Sequence, residues 1–412
     1  MSCNEWKVKR LDDIVDVIDS LHKSPKYIDQ GYPMIRVKDL EKGFLKFINP
    51  AYVSKEVFEE FNKKHKPKYG DILMSRVGSY GIVTFVNTDE DFCLGQNTVV
   101  ITNYKTDIDN RFLYYILTSN IISEQVEKLV TGSTQKTISM ASIKSLLIPT
   151  PDILEQKAIS NILSSLDKKI ELNNEMNRTL EEISQALFKR WFVDFEFPNE
   201  EGKPYKSSGG EMVESELGVI PKGWNVNNLK DISTITMGVS PSSNSYNDDK
   251  VGLPLLNGAA DFEGKLIKPS KYTSEPKKVC KCGDMIFGVR ATIGNTVFAD
   301  KEYALGRGVA SVSPKNYIFR EFIYFCLNSS MNKLINSASG SVFLNLKKAD
   351  ITDLKLCYSE VVINKFNKIA KELINKVIEN DIESEILKQQ RDSLLPKLMS
   401  GEIRVDNVET DI

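Results

Sequence analysis

From its first tryptophan to its last forty residues, this chain repeats itself in order. Trp6-Lys-Val-Lys-Arg-Leu-Asp-Asp-Ile14 returns 218 residues later as Trp224-Asn-Val-Asn-Asn-Leu-Lys-Asp-Ile232. Pro33-Met-Ile and Lys42-Gly43 are echoed by Pro254-Leu-Leu and Glu263-Gly264. Gly70-Asp-Ile-Leu-Met-Ser-Arg-Val-Gly-Ser-Tyr-Gly81 aligns with Gly283-Asp-Met-Ile-Phe-Gly-Val-Arg-Ala-Thr-Ile-Gly294, and Leu94-Gly95 with Leu305-Gly306. Phe112-Leu-Tyr-Tyr-Ile-Leu117 parallels Phe322-Ile-Tyr-Phe-Cys-Leu327, and Gly132-Ser133 returns as Gly340-Ser341 at a spacing of 208. A spacing that shrinks slowly is the mark of two copies of one domain separated by small loop insertions. Two copies of one unit predict two domains of one fold, which suits a chain of 412 residues.

Each copy carries the same order of local signals. Short apolar stretches bounded by glycine, such as Asp71-Ile-Leu-Met-Ser75 and Gly81-Ile-Val-Thr-Phe-Val86, read as strands. A short helix follows over Phe112 to Thr118, with a twin over Phe322 to Asn328. Each copy then ends in a long helical segment. The first starts at Pro151, where Asp152 caps the open amides and Glu155 is its capping-box partner. Its apolar stripe is Ile159, Leu163, Leu166 and Ile170, resuming at Leu180 and Leu187 before Trp191-Phe192. In the second segment the stripe is Phe366, Ile369, Leu373 and Val377, resuming at Leu387 and Leu394, and Pro396 is expected to stop it. Stripes this narrow over so many turns predict a coiled-coil seam. Asn173 and Asn177 interrupt the first stripe and Asn380 the second, so the two helices are expected to pair antiparallel with the asparagines near the centre. The aromatic cluster Trp191, Phe192 and Phe195 is expected to pack against the globular domains. Residues 198–217, rich in Pro, Gly, Ser and charge, read as an exposed linker. The expected boundaries are 1–150, 151–197, 198–217, 218–357 and 358–400.

Chemistry is conspicuous by what the motifs lack. A DNA amino-methyltransferase needs Asn/Asp-Pro-Pro-aromatic, and no Pro-Pro pair exists. Arg76-Val-Gly-Ser-Tyr-Gly81 lacks the G-x-G-x-x-G spacing, and Gly258 to Gly264-Lys265-Leu266 fits no phosphate loop. Pro151-Asp152…Glu155-Gln-Lys157 superficially matches a nuclease metal motif, but capping explains both carboxylates within one turn. Two histidines leave little room for a catalytic triad. Of six cysteines only Cys280 and Cys282 are close, and they read as ordinary reduced thiols. MSCNEWKVKR is no secretory signal and no apolar run is long enough for a bilayer, so a soluble, cytoplasmic protein without membrane association is expected. The net charge of −2 neither requires nor excludes a nucleic-acid partner, because basic loops can be segregated from acidic faces.

The whole chain resembles the specificity (S) subunits of Type I restriction-modification systems. The resemblance is carried by Leu217-Gly-Val-Ile-Pro-Lys-Gly-Trp224, Gly70-Asp-Ile-Leu73 with Arg76, Leu187-Phe-Lys-Arg-Trp-Phe-Val-Asp-Phe195 and Leu394-Leu-Pro-Lys-Leu-Met-Ser-Gly-Glu-Ile403. It implies an α+β fold with two similar target-recognition domains, each followed by a long helix, the helices pairing as an antiparallel coiled coil. It further implies that each domain reads one half of a bipartite, asymmetric site on double-stranded DNA. The helices would set the gap and dock two methyltransferase (M) subunits; restriction (R) subunits would add cleavage. By the same resemblance the chain itself catalyses nothing and binds no cofactor; S-adenosylmethionine, ATP and Mg belong to the partners. A helix from Asp152 to Trp191 would span roughly 60 Å, enough to hold readers over successive turns of a duplex about 34 Å apart.

Base reading needs polar side chains aimed at base edges, and grip on the backbone needs Lys and Arg on loops. The first copy offers Arg76, Ser79 and Tyr80 in the glycine-bounded loop, and Thr134, Gln135 and Lys136 after Gly132-Ser133, which the resemblance places near DNA. The second offers Arg290, Thr292 and Arg307, then Asn345, Lys347 and Lys348. The competing reading keeps the architecture but makes the chain an adapter between proteins without DNA specificity.

Overall fold

A computed structural model describes residues 6–103, 107–132, 135–290, 292–337 and 345–405. The backbone divides into two compact units, 1–169 with 386–412, and 170–385. Each unit therefore contains one copy of the repeat plus parts of both long helices.

In the first unit the main sheet has the order Asp16–Asp19, Thr98–Thr102, Ile72–Ser75, Val83–Phe85, Gly43–Phe44. Ile72–Ser75 and Thr98–Thr102 are buried along their whole length, which explains their continuous apolar and β-branched composition. A smaller sheet joins Ala51–Val53, Tyr32–Ile35 and Cys93–Leu94, the last pair parallel with Ile35 opposite Leu94. Asn110–Thr118 packs on this frame through Phe112, Leu113 and Ile116, capped at its start by Asp109. Strand Lys7–Arg10 pairs with Leu147–Thr150 and delivers the chain to the first long helix, Ile153–Phe188.

The second unit repeats this frame. Its main sheet runs Ser233–Met237, Val309–Pro314, Met285–Gly288, Gly294–Phe298. Leu256 lies opposite Leu305 in the equivalent parallel pair, and Asn225–Asn228 pairs with Lys355–Tyr358 ahead of the second long helix, Glu360–Met399. The expected short helix over Phe322 to Asn328 is longer here, Arg320–Ser337.

The two long helices pair antiparallel. In the second unit Asn173 Nδ2 donates to Ser384 Oγ at 3.2 Å and Glu383 Oε2 at 2.9 Å, while Asn177 Nδ2 donates to Asp381 Oδ1 at 2.7 Å. Asn380 Nδ2 donates to Asn177 Oδ1 at 2.9 Å, so the asparagines do meet, with 177 rather than 173 as the side-chain partner of 380. In the first unit Arg391 Nη1 pairs with Asp167 at 2.8 Å, and Tyr115 donates its hydroxyl to the same carboxylate at 2.6 Å. The seam is more polar than the apolar stripes imply: Ser164, Asp167, Asn173, Asn177 and Ser184 are all buried. In the second helix the buried positions include Phe366, Ala370, Ile374, Val377, Asn380 and Ser384. Ile369 is 44% exposed and Leu373 only half-buried, while Ala370 and Ile374, one position later, are buried.

Three local expectations are corrected. Pro396 does not end its helix, which continues to Met399; burial of Leu398 and Met399 in the first unit's core offsets the missing amide hydrogen bond. Asp152 caps the amides of Leu154 and Glu155 as expected, but Glu155 does not return the bond. Its carboxylate instead accepts from Trp6 Nε1 at 3.2 Å and from Arg404 at 2.6 and 2.8 Å. Residues 198–217 are largely exposed, as expected of a linker, but form structure of their own. Pro198 bridges Pro204, Met212–Ser215 pairs with Gly218–Pro221, and Phe197 stacks on Tyr205 at 4.6 Å. Trp191 and Phe192 are buried on the second domain, where Phe192 meets Phe366 at 5.2 Å and Phe195 meets Trp224 at 5.4 Å.

Candidate nucleic-acid interface

Four segments converge at one end of each domain's main sheet. In the first unit the turn 76–81 leaves strand Ile72–Ser75, and glycines at φ +73° at both 78 and 81 let it reverse tightly. Ser75, fully buried, staples that turn: its hydroxyl accepts from the Ile82 amide at 2.9 Å and donates to the Ser79 carbonyl. The Gly78 amide donates to the Lys136 carbonyl at 3.0 Å and Val77 bridges Thr137, so the segment around 135–137 lies beside the turn. The third segment, 95–97, is tied down by Gly95 N to Ile35 O at 2.8 Å and Arg76 N to Asn97 O at 2.9 Å. The fourth, at the end of the edge strand, is held by Ser20 N to Thr98 O at 3.2 Å.

The same bonds recur in the second unit. Gly306 N donates to Leu256 O at 2.8 Å, Val289 N to Gly308 O at 2.9 Å and Gly238 N to Val309 O at 3.0 Å. Ile138 N to Arg76 O and Leu346 N to Val289 O are both 3.0 Å, and Arg290 bridges Asn345 as Val77 bridges Thr137. These pairs set the correspondence of positions without reference to side chains: 76 with 289, 77 with 290, 95 with 306, 96 with 307, 137 with 345.

On that frame the sequence-selected residues separate. Arg76 corresponds to the buried Val289 and is itself largely enclosed; its guanidinium grips Asp19 at 2.7 and 2.8 Å and donates to the Ile138 carbonyl at 3.3 Å. It braces the turn and offers little to a ligand. Ser79, Gln135 and Lys136 are exposed on the neighbouring segments. Lys136 Nζ donates to Tyr80 Oη at 3.4 Å, and Tyr80 donates to Glu127 at 2.8 Å. The Lys136 ammonium is held above the ordinary lysine range, first by the hydrogen bond to the Tyr80 oxygen and then by electrostatic attraction to Tyr80 and Glu127. Thr134, with Ser133, lies outside the described residues, as do 338–344 in the second copy.

In the second unit Arg290 and Arg307 are exposed, and among the described residues each is pinned through Nε alone, to Asn345 Oδ1 at 3.2 Å and Ser240 Oγ at 3.1 Å. Thr292 is exposed in the tight turn closed by its amide and the Arg290 carbonyl. Lys347 and Lys348 are exposed at the start of helix Lys348–Thr352, where Asp350 accepts from the Lys347 amide at 2.8 Å. Sequence reasoning passed over Gln96, exposed at the position that matches Arg307. The signal was present, because the aligned Leu94-Gly95 and Leu305-Gly306 make it the next residue.

A family model described as the Type I restriction modification DNA specificity domain matches residues 4–182 and again 221–389, once on each copy. The chain belongs to this family. Among relatives, a putative Type I restriction enzyme MjaX specificity subunit of Methanocaldococcus jannaschii is 30% identical, with 97% of this chain and 94% of that one covered. The HindI specificity subunit of Haemophilus influenzae is 27% identical over 97% of this chain and all of its own length. A Type I S subunit crystal structure from M. genitalium shares the fold, with a TM-score of 0.61 at 19% identity, covering 99% of this chain and 98% of that one. Among the described residues no helix is long and apolar enough to cross a membrane.

Proposed function

We propose that this specificity-family chain is the DNA-reading subunit of a Type I restriction-modification complex, with the two loop clusters as its readers. The observation that carries the reading is the repeated frame: the same backbone bonds present different exposed polar and cationic side chains in the two copies. A bipartite, asymmetric site demands that combination, since the scaffold is common and the half-sites differ. The first cluster centres on Ser79, Tyr80, Gln135 and Lys136, and the second on Arg290, Thr292, Arg307, Asn345 and Lys347. The paired helices set the gap between half-sites and dock two methyltransferase subunits. Adenine methylation with S-adenosylmethionine, and any ATP- and Mg-dependent cleavage by restriction subunits, belongs to those partners; the chain itself performs no catalytic step.

The test is the methylation pattern of cells with and without this gene, alongside binding of the assembled complex to duplexes altered in one half at a time. A split motif that depends on the gene supports the reading. A complex that assembles yet binds all duplexes alike, with no gene-dependent methylation, overturns it in favour of an adapter.

A further inference from the structure

The repeated frame allows side chains to be compared position by position across the two readers, and one position stands out. We infer that residues 96 and 307 are equivalent base-reading positions, so that Arg307 selects guanine in one half-site and Gln96 selects adenine in the other. The inference rests on the proposal that these clusters face DNA.

The equivalence is fixed by backbone bonds on both sides. Gly95 and Gly306 each donate to the end of the parallel strand, at Ile35 and Leu256, and the carbonyls of Asn97 and Gly308 accept from Arg76 and Val289. Residues 96 and 307 are therefore the single unconstrained link between two matched anchors. Both are exposed. Arg307 is oriented by its Nε bond to Ser240 Oγ at 3.1 Å; among the described residues neither terminal nitrogen has an acceptor, which leaves a two-pronged donor aimed outward. Two parallel donors match the O6 and N7 acceptors of guanine in the major groove. Gln96 has no hydrogen-bonded partner among the described residues and carries one donor and one acceptor, the complement of adenine N6 and N7.

The adjacent position follows the same contrast. Val77 in the first reader is matched by Arg290 in the second, again pinned through Nε, by Asn345. The second reader thus presents two oriented guanidiniums where the first presents an amide and an apolar side chain. A phosphate grip would not call for that difference, because both half-sites have the same backbone.

The experiment uses the full chain co-expressed with its methyltransferase subunits, with the methylated motif read across the genome. Three variants are compared: Arg307→Gln, Arg307→Lys and, in the other reader, Gln96→Arg. The expected result is a fall in the preference for guanine at one base pair of one half-site by about tenfold to a hundredfold in Arg307→Gln, and a smaller fall in Arg307→Lys, whose ammonium reaches the same acceptors without a fixed fork. The other half-site stays unchanged, and Gln96→Arg gains guanine at the matching base pair there. A wild-type motif in Arg307→Gln and Gln96→Arg overturns the inference while leaving the DNA-reading proposal standing. A loss that is uniform across bases also overturns it, since phosphate contacts carry no sequence information. Absence of any split motif for the unaltered chain overturns both.

Discussion

Replacing Asn177 by leucine tests how the helix pair is held together. Asn177 joins three partners in the second unit: its oxygen accepts from Asn380 Nδ2 at 2.9 Å, and its nitrogen donates to Asp381 Oδ1 at 2.7 Å and to the Val377 carbonyl at 3.2 Å. Asn380 is 2% exposed, so the substitution strands a buried amide donor at a cost of about 1–3 kcal/mol. Asp381 loses one donor but keeps the Lys265 amide at 2.7 Å, which limits the additional cost. Asn380→Leu strands the Asn177 oxygen for a similar ~1–3 kcal/mol. The double variant strands neither group and places two apolar side chains together. Its destabilisation is therefore expected to fall short of the summed single effects by about 1–3 kcal/mol. In a unit of about 200 residues each kilocalorie moves the midpoint by roughly 2–4 °C. Calorimetric unfolding of the full chain, following the transition of this unit, reads each single variant as a drop of roughly 3–10 °C. Additive effects, or singles that leave the midpoint in place, would show that the asparagines are solvated passengers.

Four further outcomes follow from the geometry. Arg76→Ala is expected to lower the melting temperature by removing the Asp19 ion pair; a defect confined to one half-site without loss of stability would return Arg76 to the readers. Lys136→Ala weakens binding to duplexes of every sequence in the first half-site and lowers the slope of log affinity against log salt by about one, measured by salt titration. Burial raises the Asp381 carboxyl above 3.8, so its contribution to stability is complete below that pH and is lost as pH rises through the folded-state value. Asp381→Asn should therefore gain stability relative to the parent across that rise, read by denaturant titration between pH 3.5 and 6; a constant difference would refute the assignment. Cys282 is exposed, whereas burial pushes the Cys93 and Cys280 thiols up to about 12, so alkylation of the native chain followed by mass spectrometry should mark Cys282 before either.

The duplicated frame was legible because repeated glycines and apolar runs survive where side chains on the surface do not. Gly70, Gly81, Gly283 and Gly294 all sit at positive φ, a backbone demand that few substitutions meet. Helix pairing was legible from the asparagines, but its phase was not: one small residue, Ala370, marks the seam more faithfully than the larger Ile369 beside it. Arg76 was chosen as a charge on a glycine-rich loop, and nothing near it in sequence announces its ion pair with Asp19, 57 residues away. The capping-box reading of Glu155 failed for the same kind of reason, its partners Trp6 and Arg404 being 149 and 249 residues away in sequence. Local grammar identifies caps, turns and strands; which charges are consumed internally is settled only by distant pairings.

Leu398 and Met399, part of the first unit's core, bear on how the protein is made. The first 169 residues leave the ribosome long before 386–399, with about 200 residues translated in between. At elongation rates of about 5–20 residues per second, that interval lasts roughly 10–40 s. Throughout it the first unit presents an unfilled apolar groove, so chaperone occupancy on nascent chains should peak there and vanish only once 386–399 has emerged.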